Sequence, residues 1–171
     1  HDAGEVLEGT KFKVQIKIAA SFLPPMGYEV LKVCFHERTS KRPEGDVVIL
    51  KNGAENKYLV MHIQEDGTLS VTNKQTQETY HQLNTFVEKG DDGDEYNYSP
   101  CIDDTEIRIN DIHPMITCIE SSSIEVKYRL EYQIQVPEKV VDHHRVQALK
   151  PLKICSDVSL KANSQTIDFV T

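Results

Sequence analysis

Tryptophan is absent from the 171 residues, and all aromatic residues together make up only 7 % of them. That scarcity counts against a binding face built from broad exposed aromatic platforms. Cysteine is sparse too. Cys34, Cys101, Cys118 and Cys155 stand far apart and form no Cys-x-x-Cys pair. Without that spacing there is no zinc signature, and the four read as free thiols in a reducing, cytoplasmic setting. No apolar run approaches the roughly 20 residues of a membrane-spanning helix. No signal peptide opens the chain, and His1-Asp2-Ala3-Gly4 reads as an arbitrary cut. The formal net charge of −8 argues against nucleic acid or an anionic membrane as the main partner. Helical periodicity is nowhere sustained. A glycine-rich phosphate loop, a Gly-x-Ser-x-Gly elbow and a His-Glu-x-x-His pair are all lacking.

What the chain does contain is alternation. Phe12, Val14, Ile16 and Ile18 alternate with Lys11, Lys13, Gln15 and Lys17, as in a half-buried strand. Leu23-Pro24-Pro25-Met26-Gly27 breaks it, and a second strand is expected over 28–35. These two read as the closing strands of a small β-domain over 1–35. Residues 36–46 are polar throughout and read as a linker. A second β-unit is expected over 47–171. It opens with a strand at 47–50, a turn at Asn52-Gly53 and a strand over 57–63. Asp66-Gly67 gives a tight hairpin turn into 68–73. Further strands are expected over 80–86, 106–109 and 115–120. The clearest pattern lies at 124–136, where Ile124, Val126, Tyr128, Leu130, Tyr132, Ile134 and Val136 alternate with polar residues. A polar, His-rich connection over 140–150 leads to a strand carrying Leu152, Ile154, Val158 and Leu160. Another begins at Ile167 and Phe169. The expected architecture is all-β, an antiparallel sandwich.

One stretch fits neither a strand nor a helix. Gly90-Asp91-Asp92-Gly93-Asp94-Glu95-Tyr96-Asn97-Tyr98-Ser99-Pro100 packs four acids into five positions between two glycines and a tyrosine pair. Glycine and aspartate adopt turn conformations that other residues resist. Such a loop suits presentation of polar groups to a ligand, and equally suits an acidic surface turn. Several oxygens on a flexible turn also suit calcium, but the spacing departs from an EF-hand loop.

The acidic stretch resembles a loop in the C-terminal β-region of bacterial α-mannosidases of glycoside hydrolase family 38. The flanking segments agree: Glu55-Asn56-Lys57-Tyr58-Leu59-Val60, Glu65-Asp66-Gly67-Thr68-Leu69-Ser70-Val71-Thr72-Asn73-Lys74, Leu83-Asn84-Thr85-Phe86 and Leu23-Pro24-Pro25-Met26-Gly27-Tyr28. The likeness is strong over 55–100 and diffuse after 105. It implies the end of a small β-domain followed by the first part of a β-supersandwich. It also implies that the nucleophilic aspartate and a zinc ion sit in an N-terminal catalytic barrel outside this chain, so that this fragment holds neither a catalytic residue nor a metal and is inactive alone. The β-region would then support the barrel and lend loop residues to a mannoside or oligosaccharide substrate. Tyr96 matches the position of a sugar-contacting tyrosine. A phenol suits that role, because its flat body packs on a sugar ring while its hydroxyl reaches an oxygen, and it equally suits an aromatic anchor holding the loop on the sheet. Asp94 and Asp92 would shape the loop or bond the sugar, and Tyr98 would pack behind them.

The residues themselves support the absence of chemistry. Glycoside hydrolysis needs two acids in different environments, whereas four adjacent acids mostly face solvent. His143-His144 reads as a solvated hairpin loop and His113, before Pro114, as structural. His36 and Arg38 fall in the linker, and Tyr128 and Tyr132 belong to the core. Two alternatives remain: a stand-alone carbohydrate-binding module, and a purely structural β-domain.

Overall fold

The computed structural model describes Ile18, residues 25–32 and residues 44–171. The chain divides into two units, His1–Lys41 and Arg42–Thr171. In the first unit, Pro25 and Met26 make a turn and Tyr28 to Lys32 form no strand. Tyr28 and Val30 are exposed, so the strand expected over 28–35 is not formed in its described part. The strand expected over 11–19 falls, apart from Ile18, outside the described residues, as do Cys34, His36 and Arg38.

The second unit is all-β with antiparallel pairing. Five short strands, β1 (Val48–Leu50), β2 (Gly53–Glu55), β3 (Leu59–Ile63), β4 (Leu69–Asn73) and β5 (Thr79–Leu83), form one sheet in sequence order. Two small strands, β6 (Val87–Glu88) and β7 (Ile107–Arg108), pair on either side of the acidic stretch. The expected strand at 106–109 is shorter, because Ile109–Asp111 turns into a single 3-10 turn. Then come β8 (Met115–Ser121), β9 (Glu125–Pro137), β10 (Val140–Val141), β11 (His144–Arg145), β12 (Leu149–Lys161) and β13 (Ile167–Val170). The second large sheet runs β13-β12-β9-β8. The supposed connection over 140–150 is itself structured: β10 and β11 make a two-stranded hairpin, and β12 already starts at Leu149.

The period of two at 124–136 places its apolar set on one face, and that face is buried. Val126 and Leu130 are fully inaccessible, and Tyr128, Tyr132, Ile134 and Val136 are buried beside them. They share one core with Ala54, Leu59, Met61, Ile63, Leu69 and Val71 of the first sheet, which makes the unit a sandwich. Strand β8 is different. Its apolar residues Met115, Ile116 and Ile119 are exposed at the edge of the sheet.

Polar side chains tie the two sheets together. The Tyr128 hydroxyl donates to the carbonyl of Gly53 at 3.0 Å, and the Tyr132 hydroxyl donates to that of Gly67 at 3.2 Å. Asn84 Nδ2 donates to Gly67 O and to the Tyr132 hydroxyl, both at 3.2 Å, while its Oδ1 accepts from the Ser156 hydroxyl at 2.9 Å. Asn56 is buried with all its capacity used. Its Oδ1 accepts from the amides of Tyr58 and Leu59, which delays β3 to Leu59, and its Nδ2 donates to the carbonyls of Lys161 and Ser164. Each buried polar atom so paired avoids a desolvation cost of roughly 1–3 kcal/mol. At the β3–β4 turn Gly67 has φ +76°, and a Cβ there would meet Pro114 Cγ at 2.7 Å and run into the Tyr132 hydroxyl. Only glycine fits that corner.

Candidate functional site: the acidic loop and its base

Strands β6 and β7 form the neck from which the 90–100 loop projects. An isolated bridge pairs Asp91 with Pro100, and the Asp92 amide donates to Ser99 O at 2.8 Å. Beyond that rung the backbone turns too sharply for a ladder, and side-chain oxygens satisfy the amides instead. Asp91 Oδ1 accepts from Gly93 N at 2.9 Å and Ser99 N at 3.0 Å. Asp94 Oδ1 accepts from Tyr96 N at 2.9 Å and Asn97 N at 2.8 Å. Gly93 is required by closeness, since a Cβ would collide with the Asn97 carbonyl. The N–H groups of Tyr96 and Asn97 hold the Asp94 carboxyl below its ordinary value.

Beneath the loop lies a charged base. Arg145 reaches from β11 with its side chain 8 % exposed. Its Nη2 contacts both carboxylate oxygens of Glu88, at 2.7 and 2.6 Å, and its Nη1 contacts Asp104 Oδ1 at 3.0 Å. The other oxygen of Asp104 accepts from Gly90 N at 2.7 Å. Burial opposes ionisation of Asp104, but the Gly90 amide and the guanidinium outweigh it and keep its pKa below the usual value. One guanidinium thus bridges two acids and, through Asp104, fixes the first residue of the loop. A planar fork with five donors is suited to that task.

The four acids mostly face solvent, as expected. Tyr96 is 83 % exposed, and its ring and hydroxyl project outward with no partner among the described residues. Asp94 is a loop-shaping acid. Asp92 is half-buried, and its Oδ2 pairs with His143 Nδ1. Tyr98 is 60 % exposed and does not pack behind the others, because the loop has no apolar interior in which to bury it. His143 is not merely a solvated turn residue, since it meets the loop through that pair. His113 Nδ1 lies 3.1 Å from Glu65 O, a structural contact. Sequence reasoning missed Arg145, Asp104 and the role of His143. An arginine next to two histidines in a polar stretch gives no signal of which distant acids it meets.

Among the described residues no three of His, Cys, Asp or Glu come together in a way that could hold a metal ion. Cys101, Cys118 and Cys155 are free thiols.

Residues 54–171 match the sequence profile of the glycosyl hydrolases family 38 C-terminal domain. The chain belongs to that family. Two solved structures resemble this family 38 domain. One is an α-mannosidase from Enterococcus faecalis V583, 24 % identical, with a TM-score of 0.70 over 74 % of this chain. The other is a protein in glycosyl hydrolase family 38 from Enterococcus faecalis, also 24 % identical, with a TM-score of 0.71 over 75 % of this chain. At that identity the likeness speaks for the fold. The chain spans 16 % and 18 % of the length of those two proteins. A search of curated protein sequences found no match. Within the family 38 domain, the segments that carried the sequence resemblance are largely the ties described above. Asn56, the Asp66-Gly67-Thr68 turn, Asn84 and Phe86 hold the sandwich, with Phe86 edge-on to Tyr132 at 5.7 Å.

Proposed function

We propose that this chain is the non-catalytic β-region of a retaining α-mannosidase, and that its acidic loop borders the sugar site of the whole enzyme. Terminal α-mannosides are the substrate class. The nucleophile and the zinc ion belong to a catalytic barrel outside these residues. Tyr96 is the sugar contact, while Asp94 and Asp92 shape the loop and offer free carboxylate oxygens towards it. The observation that carries this reading is the build of the loop. Its backbone is fixed from within by Asp91 and Asp94 and from below by Arg145, yet it spends that order on displaying an 83 % exposed phenol. A loop that only closed the β6–β7 neck would have no use for such a display.

The test is α-mannosidase activity of the full-length enzyme, with and without zinc, comparing wild type with Tyr96→Phe. Loss of one hydrogen bond to a sugar oxygen lowers kcat/KM about tenfold, with folding intact. Unaltered kinetics would move the domain to a purely structural role, which the many inter-sheet ties made by its motif residues also suit. Lack of any activity on α-mannosides would remove the substrate assignment. Saturable mannoside binding by the chain alone would instead favour a carbohydrate-binding module.

A further inference from the structure

We propose that the β10–β11 hairpin sets the position of the acidic loop, with Arg145 fixing the base and His143 acting as a pH-dependent positioning residue on the flank. The inference rests on the proposed function only for its consequence, that the loop so positioned faces a sugar.

The hairpin is small, but it reaches the loop at three separate places. Arg145 and the Gly90 amide share the Asp104 carboxylate, which secures the loop where it begins. The Ile102 amide donates to the carbonyl of His143 at 2.8 Å, which secures the chain just after the loop ends. Between them, the His143 imidazole pairs with Asp92. The turn that presents the imidazole is specific. Asp142 and His143 have φ of 48° and 67°, the pair of positive values that a two-residue turn between tightly twisted strands requires. Residues other than glycine resist that conformation. Here it puts the carbonyl of His143 on Ile102 and its ring on Asp92.

The charges around the imidazole are almost all negative. Asp92 of the loop pairs with it, and Asp142 of the turn adds a second negative charge. Arg145, the cation two residues on in β11, is already taken up by Glu88 and Asp104. His144 is the neighbouring titratable group. A protonated His143 therefore supplies a counter-charge to Asp92, and a neutral one does not. The hydrogen bond to Asp92, its charge and that of Asp142 raise the His143 pKa above the ordinary 6.5. The pKa is higher in the attached state than in the released one. Attachment is thus fully present below pH 6.5 and is lost as pH rises through the raised value.

The experiment uses this 171-residue chain without any sugar. Histidine titration by NMR reads the His143 midpoint. Amide hydrogen exchange, corrected for its intrinsic pH dependence, reads protection at Asp92 and Ser99, which bond Ser99 O and Asp91 Oδ1. Amides of β9 serve as the control for global folding. We expect the His143 midpoint above 6.5, and loop protection falling through the same midpoint. Linkage sets the size of that fall at about tenfold for each unit of the shift. Asp92→Asn lowers the midpoint towards 6.5, Asp142 still holding it up, and removes the pH dependence of protection. His143→Gln gives low protection at every pH, with β9 unchanged. Protection that ignores pH while His143 titrates, or that survives His143→Gln, overturns the proposal. A loop that responds as expected, in an enzyme whose mannoside turnover ignores Tyr96, supports the positioning role and overturns the sugar reading alone.

Discussion

The β9–β12 hairpin and the acidic loop belong to the same unit, yet they are held by different kinds of contact. Each hairpin strand is thirteen residues long, and the pair is joined rung by rung from Glu125–Lys161 to Pro137–Leu149. One face of β9 buries an unbroken row of apolar side chains against the opposite sheet. The loop buries no large side chain. Its shape comes from aspartate oxygens accepting backbone amides two to eight residues away. Burial is non-directional and spread over many atoms, so it fixes the hairpin as a body. Hydrogen bonds to single carboxylates are local and directional, so they fix a shape and leave the outward side chains free. A region of the second kind is where an exposed side chain such as Tyr96 can vary without endangering the core.

The comparison is broken most severely from the hairpin side. Leu130 is fully inaccessible at the centre of β9. Leu130→Ala should cost about 3 kcal/mol, measured by urea unfolding. Large-to-small changes at the tip of the loop should cost nearly nothing on the same scale. Comparable losses at Leu130 and at Tyr96 would mean that the loop is packed in a way the geometry does not show.

Tyr132 tests the polar component of the core. Its ring is buried, and its hydroxyl both donates to Gly67 O and accepts from Asn84. Tyr132→Phe keeps the packing and strands those partners, so a loss of about 1 kcal/mol is expected in the same unfolding experiment. The alkaline limb sharpens it. Burial, with the nearby Asp66 charge adding to it, pushes this phenol up to about 12. In the unfolded chain it ionises near its ordinary value of about 10. The contribution is therefore complete below pH 10 and is lost as pH rises from there towards 12. Tyr132→Phe should remove that part of the alkaline decline, and an unchanged decline would assign it to other groups.

Much of this contrast was legible in the sequence, for a physical reason. Period-two alternation at 124–136 is a statement about burial, and Asp66-Gly67 is a statement about a turn. Both are local, and the structure bears both out. The existence of the loop and its solvent-facing acids follow from composition in the same way, whereas the exposure of Tyr96 does not, since a loop tyrosine can equally anchor on the sheet. What could not be read is which distant groups meet. His143 reaches Asp92 across 51 positions and Arg145 reaches Glu88 across 57. Asn56 and Asn84 look like turn residues and prove to be ties between sheets. The apolar run at Met115–Ser121 sits at an exposed edge, because burial depends on what lies opposite a strand and not on its own hydropathy.

The smallest effect is the most discriminating. Asp94 is exposed, so Asp94→Ala should leave global stability nearly unchanged. It should nevertheless release the amides of Tyr96 and Asn97, which both rest on Asp94 Oδ1. Hydrogen exchange at those two positions reads this directly. Asp94→Asn separates geometry from charge, since its amide oxygen accepts the same two bonds. We expect Asn to retain most of the protection and Ala to lose it. Acid gives the same answer by another route. The carboxyl of Asp94 is held below its ordinary value by those two amides. Its contribution is present above the ordinary carboxylate pKa and is lost as pH falls through the lowered one. Protection of Tyr96 that fades in acid for wild type, but not for Asp94→Asn, would show that the proton disturbs this one acceptor. Equal fading in both would mean that the proton acts elsewhere than on this acceptor.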